Sequence, residues 1–207
     1  VGYIVITSDR GLAGGLNINL FKALSKSIQQ YQDQSVQAEF AVIGAKGVSF
    51  FKNFGDKVTS AVTDYGDKPT FEQLNAPVQA MLEDYSNGKL DRIYVVYNQF
   101  VNAMTQKPIV NQLVPLPEGS FGDEESGIQT ELSWDYIYEP DIKTLIDELL
   151  GRYIESIVYQ AVMENIASEQ SSRMVAMKAA TDNAGDLIND LQLVYNKLRQ
   201  AAITREI

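Results

Sequence analysis

Few of the residue types in this chain could do chemistry. Cysteine and histidine are both absent from the 207 residues, which removes thiolate nucleophiles, imidazole bases, disulfides and nearly every structural zinc scheme. Two segments remain. The loop Asp9–Gly15 (DRGLAGG) lies between a β-rich apolar run and a helical pattern, where a glycine-rich turn at a helix N-terminus cradles a dinucleotide pyrophosphate. Its glycines, Gly11, Gly14 and Gly15, do not make the G-x-G-x-x-G spacing. No Lys-Ser/Thr pair follows as in a P-loop, and the second strand ends at Gly44 without a ribose-binding acid. Positive φ and a close strand-to-helix approach explain the glycines more simply. The other segment is the acidic run Asp123 to Glu125, whose charge suits a cation. No ligand-spaced partner accompanies it, and such a run in a polar stretch reads as a solvated loop. The residues thus call for no catalytic group, no metal and no cofactor.

The formal net charge is −10, and no lysine and arginine cluster is dense enough to neutralise a run of phosphates. Nucleic acid and an anionic lipid surface are disfavoured as partners, and proteins are favoured. A hydrophobic content of 45% over this length suffices for one core plus an extended element. No window approaches the roughly eighteen consecutive apolar residues of a membrane span, and no charged-then-apolar leader precedes Val1. Direct membrane insertion is not expected. A start at Val1 on a strand-like run suggests that further sequence lies upstream.

These residues must be positioned by an alternating pattern of elements. GYIVITS (2–8) reads as a strand, followed by the glycine loop and the helical run LNINLFKALSKSIQQY. VQAEFAVIG (36–44) precedes a short helix AKGVSFFKNF, and KVTSAVT (57–63) precedes a helix from about Thr70 to Tyr85. Such alternation predicts a mostly parallel sheet. After the Asn87-Gly88 turn, DRIYVVYNQF and MTQKPIVNQLVPL are close enough to pair as an antiparallel hairpin at the sheet edge. The α/β domain is expected to span 1–116, with an acidic surface loop and short extended segment at 117–139.

From Asp141 to Ile207 there is no proline, and strong helix formers dominate. One helix, occupying 140–207 and about 100 Å long at roughly 1.5 Å per residue, is expected. Along it Met163, Ala167, Gln170, Met174, Met177, Thr181, Ala184, Ile188, Leu191, Tyr195, Leu198 and Ala202 follow alternating steps of four and three, a coiled-coil seam. Met174 and Met177 therefore read as seam core rather than as a pliable binding surface. A helix lying across a globular core is disfavoured, because the preceding domain is too small to cover so long an element. The seam demands a second helix. Without one, the exposed stripe is expected to fray, self-associate or be cut.

VGYIVITSDRGLAGGLNINLF, WDYIYEPD (134–141) and ASEQSSRMVAMKAATDNAGDLINDLQLVYNKLRQAAITREI closely resemble the gamma-subunit family of bacterial rotary ATP synthases, and the resemblance covers essentially the whole chain. The resemblance implies an α/β fold with a mostly parallel Rossmann-like sheet, an antiparallel edge hairpin and a long C-terminal coiled-coil helix. That helix would be wound antiparallel against an N-terminal helix that is not in this chain. It implies a non-catalytic rotor shaft of the proton-translocating ATP synthase, whose coiled coil enters a hexamer of alpha and beta subunits. An epsilon subunit and the membrane c-ring would complete its partners, at the cytoplasmic face of the bacterial inner membrane. By matching motifs, Arg199, Gln200 and Thr204 would contact beta-subunit loops, and Tyr136, Tyr138 and Glu139 the polar loops of the ring. Exposed residues on a long helix are more often merely solvated, and the tyrosines could equally pack on their own domain. Ala13 stands where many relatives have cysteine, which excludes thiol control, and Arg205 stands where glutamine is common. A nucleotide-dependent oxidoreductase and a coiled-coil adaptor unrelated to energy conversion are the competing classes.

Overall fold

The computed structural model describes residues 1–32, 36–54, 58–116 and 141–206. The elements follow the expected order: β1 (Gly2–Ile6), α1 (Leu16–Gln32), β2 (Glu39–Ile43), α2 (Ala45–Phe54), β3 (Val58–Val62), α3 (Phe71–Ser86), β4 (Ile93–Asn102), β5 (Thr105–Val114) and α4 (Ile142–Glu206). The sheet order is β3-β2-β1-β4-β5. The first four strands are parallel and β5 runs antiparallel to β4. The chain winds outward from β1 through β2 to β3, then crosses back to place β4 on the other side of β1. That reversal makes a topological switch point between β1 and β4.

Side chains on β1 and β2 alternate between two cores, as the pleat requires. Tyr3, Val5, Phe40 and Val42 face α1 and α2, where they meet Leu20, Leu24 and Phe51. Ile4, Ile6, Ala41 and Ile43 face the other way, toward Leu74, Val78 and Met81 of α3. Tyr3 stacks between Phe40 and Tyr94 at centroid distances of 5.8 and 5.6 Å, and its hydroxyl pairs with Ser27 Oγ at 3.1 Å. The Asn87-Gly88 turn closes α3: Gly88 has φ +72, its N–H donates to Tyr85 O, and Lys89 N–H donates to Asp84 O. This is the Schellman pattern of paired C-terminal bonds. The expected edge hairpin is present, and Pro108 lies on β5, which has a neighbour only on its β4 side.

One expectation fails in an informative way. The first part of α4 does lie across the globular core. Ile154, Val158, Ala161, Val162 and Ile166 are buried against the α3 face of the sheet. The 16 residues of α3 pack over β3, β2 and β1 and leave the β4 side of that face uncovered, so a second helix is needed there and the long helix supplies it. The seam counted from Met163 projects from the opposite side of the same helix. Met174 is 59% and Met177 39% exposed. They are surface residues of this chain, because the domain occupies the other face of α4 and no second long helix is present among the described residues.

Candidate functional site

In doubly wound sheets the ligand crevice opens beyond the carboxyl ends of the strands at the switch point. Here that crevice is filled from within. Thr7, just past β1, donates from Oγ1 to Ile43 O at 3.1 Å and accepts from Gly47 N–H at 2.9 Å. Gly44 has φ +110, and a Cβ there would lie 2.2 Å from Thr7 O. The turn into α2 therefore rests directly on the β1 backbone, which is what its glycine permits. Asp9 ties two loops together, accepting from Ala45 N–H at 2.9 Å and from Tyr65 N–H at 3.1 Å. Its carboxylate thereby occupies the N-terminus of α2, where an anionic ligand would otherwise gain most.

Of the loop glycines only Gly14 needs its freedom, with φ +56. Leu12 takes φ +64 without being glycine. Side chains at Gly11 and Gly15 would meet nothing closer than 3.6 Å, so the positive φ expected of all three is required at one. The loop's carbonyls face protein. Ser172 Oγ donates to Ala13 O at 2.7 Å, and the Arg173 guanidinium donates to Gly11 O at 3.3 and 3.4 Å.

A cavity of about 220 Å³ remains beside this loop, lined by Asp9, Arg10, Asp64, Tyr65, Asp67 and Glu169. Four carboxylates against one guanidinium repel a phosphate. Among the described residues no group of carboxylates is placed to hold a metal ion. The Tyr65 hydroxyl, which donates to Thr7 O at 2.8 Å, has its pKa pushed well above the usual phenol value. Burial is the main cause, and the charges of Asp9 and Glu169 reinforce it. Tyr3, Tyr94 and Tyr97 are raised too, each chiefly by burial. A phenol with a raised folded-state value stabilises the fold fully below the unfolded value and loses that contribution as pH climbs through the folded one. Stability is therefore expected to fall above pH ~10, by up to about 1.4 kcal/mol per pH unit from Tyr65, with smaller contributions of the same sign from the other three. Urea titrations at rising pH check this, and Tyr65→Phe should flatten the slope.

The larger exposed feature is α4 itself. From Met177 onward every described side chain of the helix is exposed. Leu187, Ile188, Leu191, Val194, Tyr195 and Leu198 form an apolar band, at the i, i+1, i+4, i+7, i+8 and i+11 spacing of one broad helical face.

A family model described as ATP synthase matches residues 1–207. The ATP synthase gamma chain of Psychrobacter arcticus is 94% identical over the whole chain, which covers 71% of that relative. The gamma chain of Acinetobacter baumannii is 62% identical over the same span. The chain belongs to the ATP synthase gamma-chain family. Among solved structures, the chain is similar to one of the Euglena gracilis mitochondrial ATP synthase with OSCP, F1 and c-ring (TM-score 0.70, 24% identity, 100% of this chain and 69% of the other). It is also similar to the central stalk and c-ring structure of the Tetrahymena thermophila enzyme (TM-score 0.63, 25% identity, 87% and 75%). The neighbours support the fold: a mixed sheet with an antiparallel edge and a long C-terminal helix.

The positions singled out from the gamma-chain resemblance fall into two groups. Arg199, Gln200 and Thr204 are exposed on the last turns of α4, and Thr204 Oγ1 donates back to Gln200 O at 2.8 Å. Tyr136, Tyr138 and Glu139, with the acidic run Asp123 to Glu125, lie outside the described residues. Sequence reasoning missed Ser168, Gln170, Ser171, Ser172 and Arg173, which join α4 to the loops. Serines and a glutamine inside a helix carry little periodic signal, and Gln170 had been counted as seam.

Proposed function

We propose that the chain is the central rotor shaft of a proton-translocating ATP synthase, a subunit that carries torque and no chemistry. The observation that carries this reading is the division of α4. Its residues 154–173 are held by the α/β domain. Its residues 177–205 stand clear of it, with one apolar band that asks for a partner helix and with polar flanks. A helix of 65 residues is about 100 Å long, long enough to reach into a ring of other subunits while its base stays outside. In this reading the coiled coil enters the hexamer of alpha and beta subunits, Arg199, Gln200 and Thr204 meet beta-subunit loops, and Tyr136, Tyr138 and Glu139 meet the c-ring. An epsilon subunit binds at the base, and the complex sits peripherally on the cytoplasmic face of the inner membrane. No described helix is long and apolar enough to cross a membrane.

The test mixes the chain, extended by the N-terminal helix that the seam calls for, with alpha and beta subunits, and follows complex formation and magnesium-dependent ATP hydrolysis. Assembly with turnover supports the shaft; a folded chain that stays outside the complex overturns it. Within that assay Leu191→Asp should weaken assembly more than tenfold. Loss of a buried leucine costs about 2–5 kcal/mol, and about 1.4 kcal/mol is already a factor of ten.

A further inference from the structure

One turn of α4 differs from the rest in how it is held. Between Ile154 and Ile166 the helix rests on the sheet along an apolar stripe, joined at its end by Asn165 Oδ1, which accepts from Asn98 N–H at 3.3 Å and from Asn98 Nδ2 at 3.0 Å. At 168–173 polar bonds run outward to β4 and to the loops at the strand ends. Ser168 Oγ donates to Asn98 O at 3.0 Å and Ser171 Oγ to Ala103 O at 2.5 Å, both on the β4–β5 side. Gln170 Nε2 donates to Asp67 Oδ1 at 3.1 Å in the β3–α3 loop. Ser172 and Arg173 hold the β1–α1 loop through the carbonyls of Ala13 and Gly11. Arg173 is itself fixed from below by Glu169 at 2.5 Å and by Gln170 Oε1 at 3.2 Å.

At about 100° per residue, positions 168 to 173 point in directions that span the whole circumference of the helix. Three separate loops, all at the carboxyl edge of the parallel sheet, hold this turn: Ser168, Ser171 and Ser172 bond on its domain side, and the longer Gln170 and Arg173 reach round from its flanks. Past it the α/β domain makes no further hydrogen bond to the described part of the helix, and the side chains from Met177 on are exposed.

We propose that this collar is the torsional joint of the rotor: the switch-point loops, where related sheets bind a nucleotide, here grip the shaft and resist its rotation about its own axis. Apolar packing is non-directional and tolerates rolling of one surface on another. Hydrogen bonds weaken steeply when misaligned, so bonds leaving the helix on several sides oppose a twist of either sense. The glycine loop is then explained as a set of carbonyl acceptors brought against a helix, with Gly14 taking the φ of +56 that the turn after Ala13 requires. Arg173 is a positioning residue: it sets the angle at which the free length of α4 leaves the domain.

The joint rests on the rotor reading, and the experiment separates the two. In the assembled complex, with the coiled coil held by the hexamer under non-hydrolysable nucleotide, a rod fixed to the α/β domain reports thermal angular spread. Gln170→Ala with Ser172→Ala removes bonds on two sides and strands no buried charge. Angular variance should rise roughly 1.5-fold, as expected if two of the six bonds from this turn to the domain are lost. The melting temperature of the chain and ATP hydrolysis by the complex should stay near wild type. Arg173→Lys keeps the charge beside Glu169 and loses the planar fork on Gly11 O, so its spread should be intermediate. Wild-type spread in both variants overturns the joint alone. Failure of the wild-type chain to assemble overturns the rotor reading and the joint with it.

Discussion

Gly44→Ala is expected to cost about 3–5 kcal/mol of stability, combining a disfavoured backbone conformation with overpacking. Two effects act together. The backbone at Gly44 has φ +110, a value that side-chain-bearing residues rarely adopt, and the new Cβ would lie 2.2 Å from the carbonyl oxygen of Thr7 and 2.5 Å from its Oγ1. The atoms in the way belong to the central strand's own backbone, so relief requires moving the end of β1 away from the start of α2. That motion breaks the bonds from Gly47 N–H to Thr7 Oγ1 and from Thr7 Oγ1 to Ile43 O. Domains of this size have only about 5–15 kcal/mol in hand, so the variant should be largely unfolded at modest urea concentration. Gly88→Ala is the control. Its φ is +72 but nothing lies within 4 Å, so only the conformational cost of about 1–2 kcal/mol applies. Equal losses in the two variants, read from urea midpoints, would contradict the close-packed turn.

The second large effect is on the attachment of the helix. Val162 has no exposed surface and sits with Ile166 and Val158 against the sheet. Val162→Asp would place an unpaired carboxylate there, at an effective penalty of several kcal/mol, and the helix should lift from the sheet between 154 and 172. Limited proteolysis should then cut within that stretch, where the wild-type chain is protected. Met163→Asp is one residue away, yet Met163 points about 100° further round the helix, off the buried stripe, and is 38% exposed. Its effect on the isolated chain should stay within about 0.5 kcal/mol. The pair of variants assigns the two faces of one helix: one built for the domain, the other left for a partner. Identical digestion patterns for both would refute that assignment.

Much of the fold was legible from local pattern. The strand and helix order, the antiparallel edge and the length of α4 follow from period-two and helical spacing, from glycine and asparagine turns, and from a proline-free run. The absence of histidine and cysteine was equally legible, because residue types are counted without a fold. The stripe Ile154, Val158, Ala161, Val162 and Ile166 was present in the sequence but masked by the competing seam from Met163, since both periodicities share one helix and neither announces its partner. The collar was not legible at all. Its donors are serines and an arginine bonding to backbone carbonyls, and a glutamine bonding to the Asp67 carboxylate, all more than sixty residues away in sequence, and carbonyls leave no residue-type signature.

By itself, then, the sequence determined that this chain is an α/β sheet followed by a very long helix with a heptad seam, and that it carries neither histidine nor cysteine, because composition and periodicity are properties of neighbours along the chain. Only the tertiary structure decided that the helix covers half a sheet face before it departs, and that the strand-end crevice is closed by Thr7, Asp9, Tyr65 and the turn at 168–173. Those outcomes depend on how much sheet α3 leaves uncovered and on which carbonyls reach which hydroxyls, and distance in space sets both.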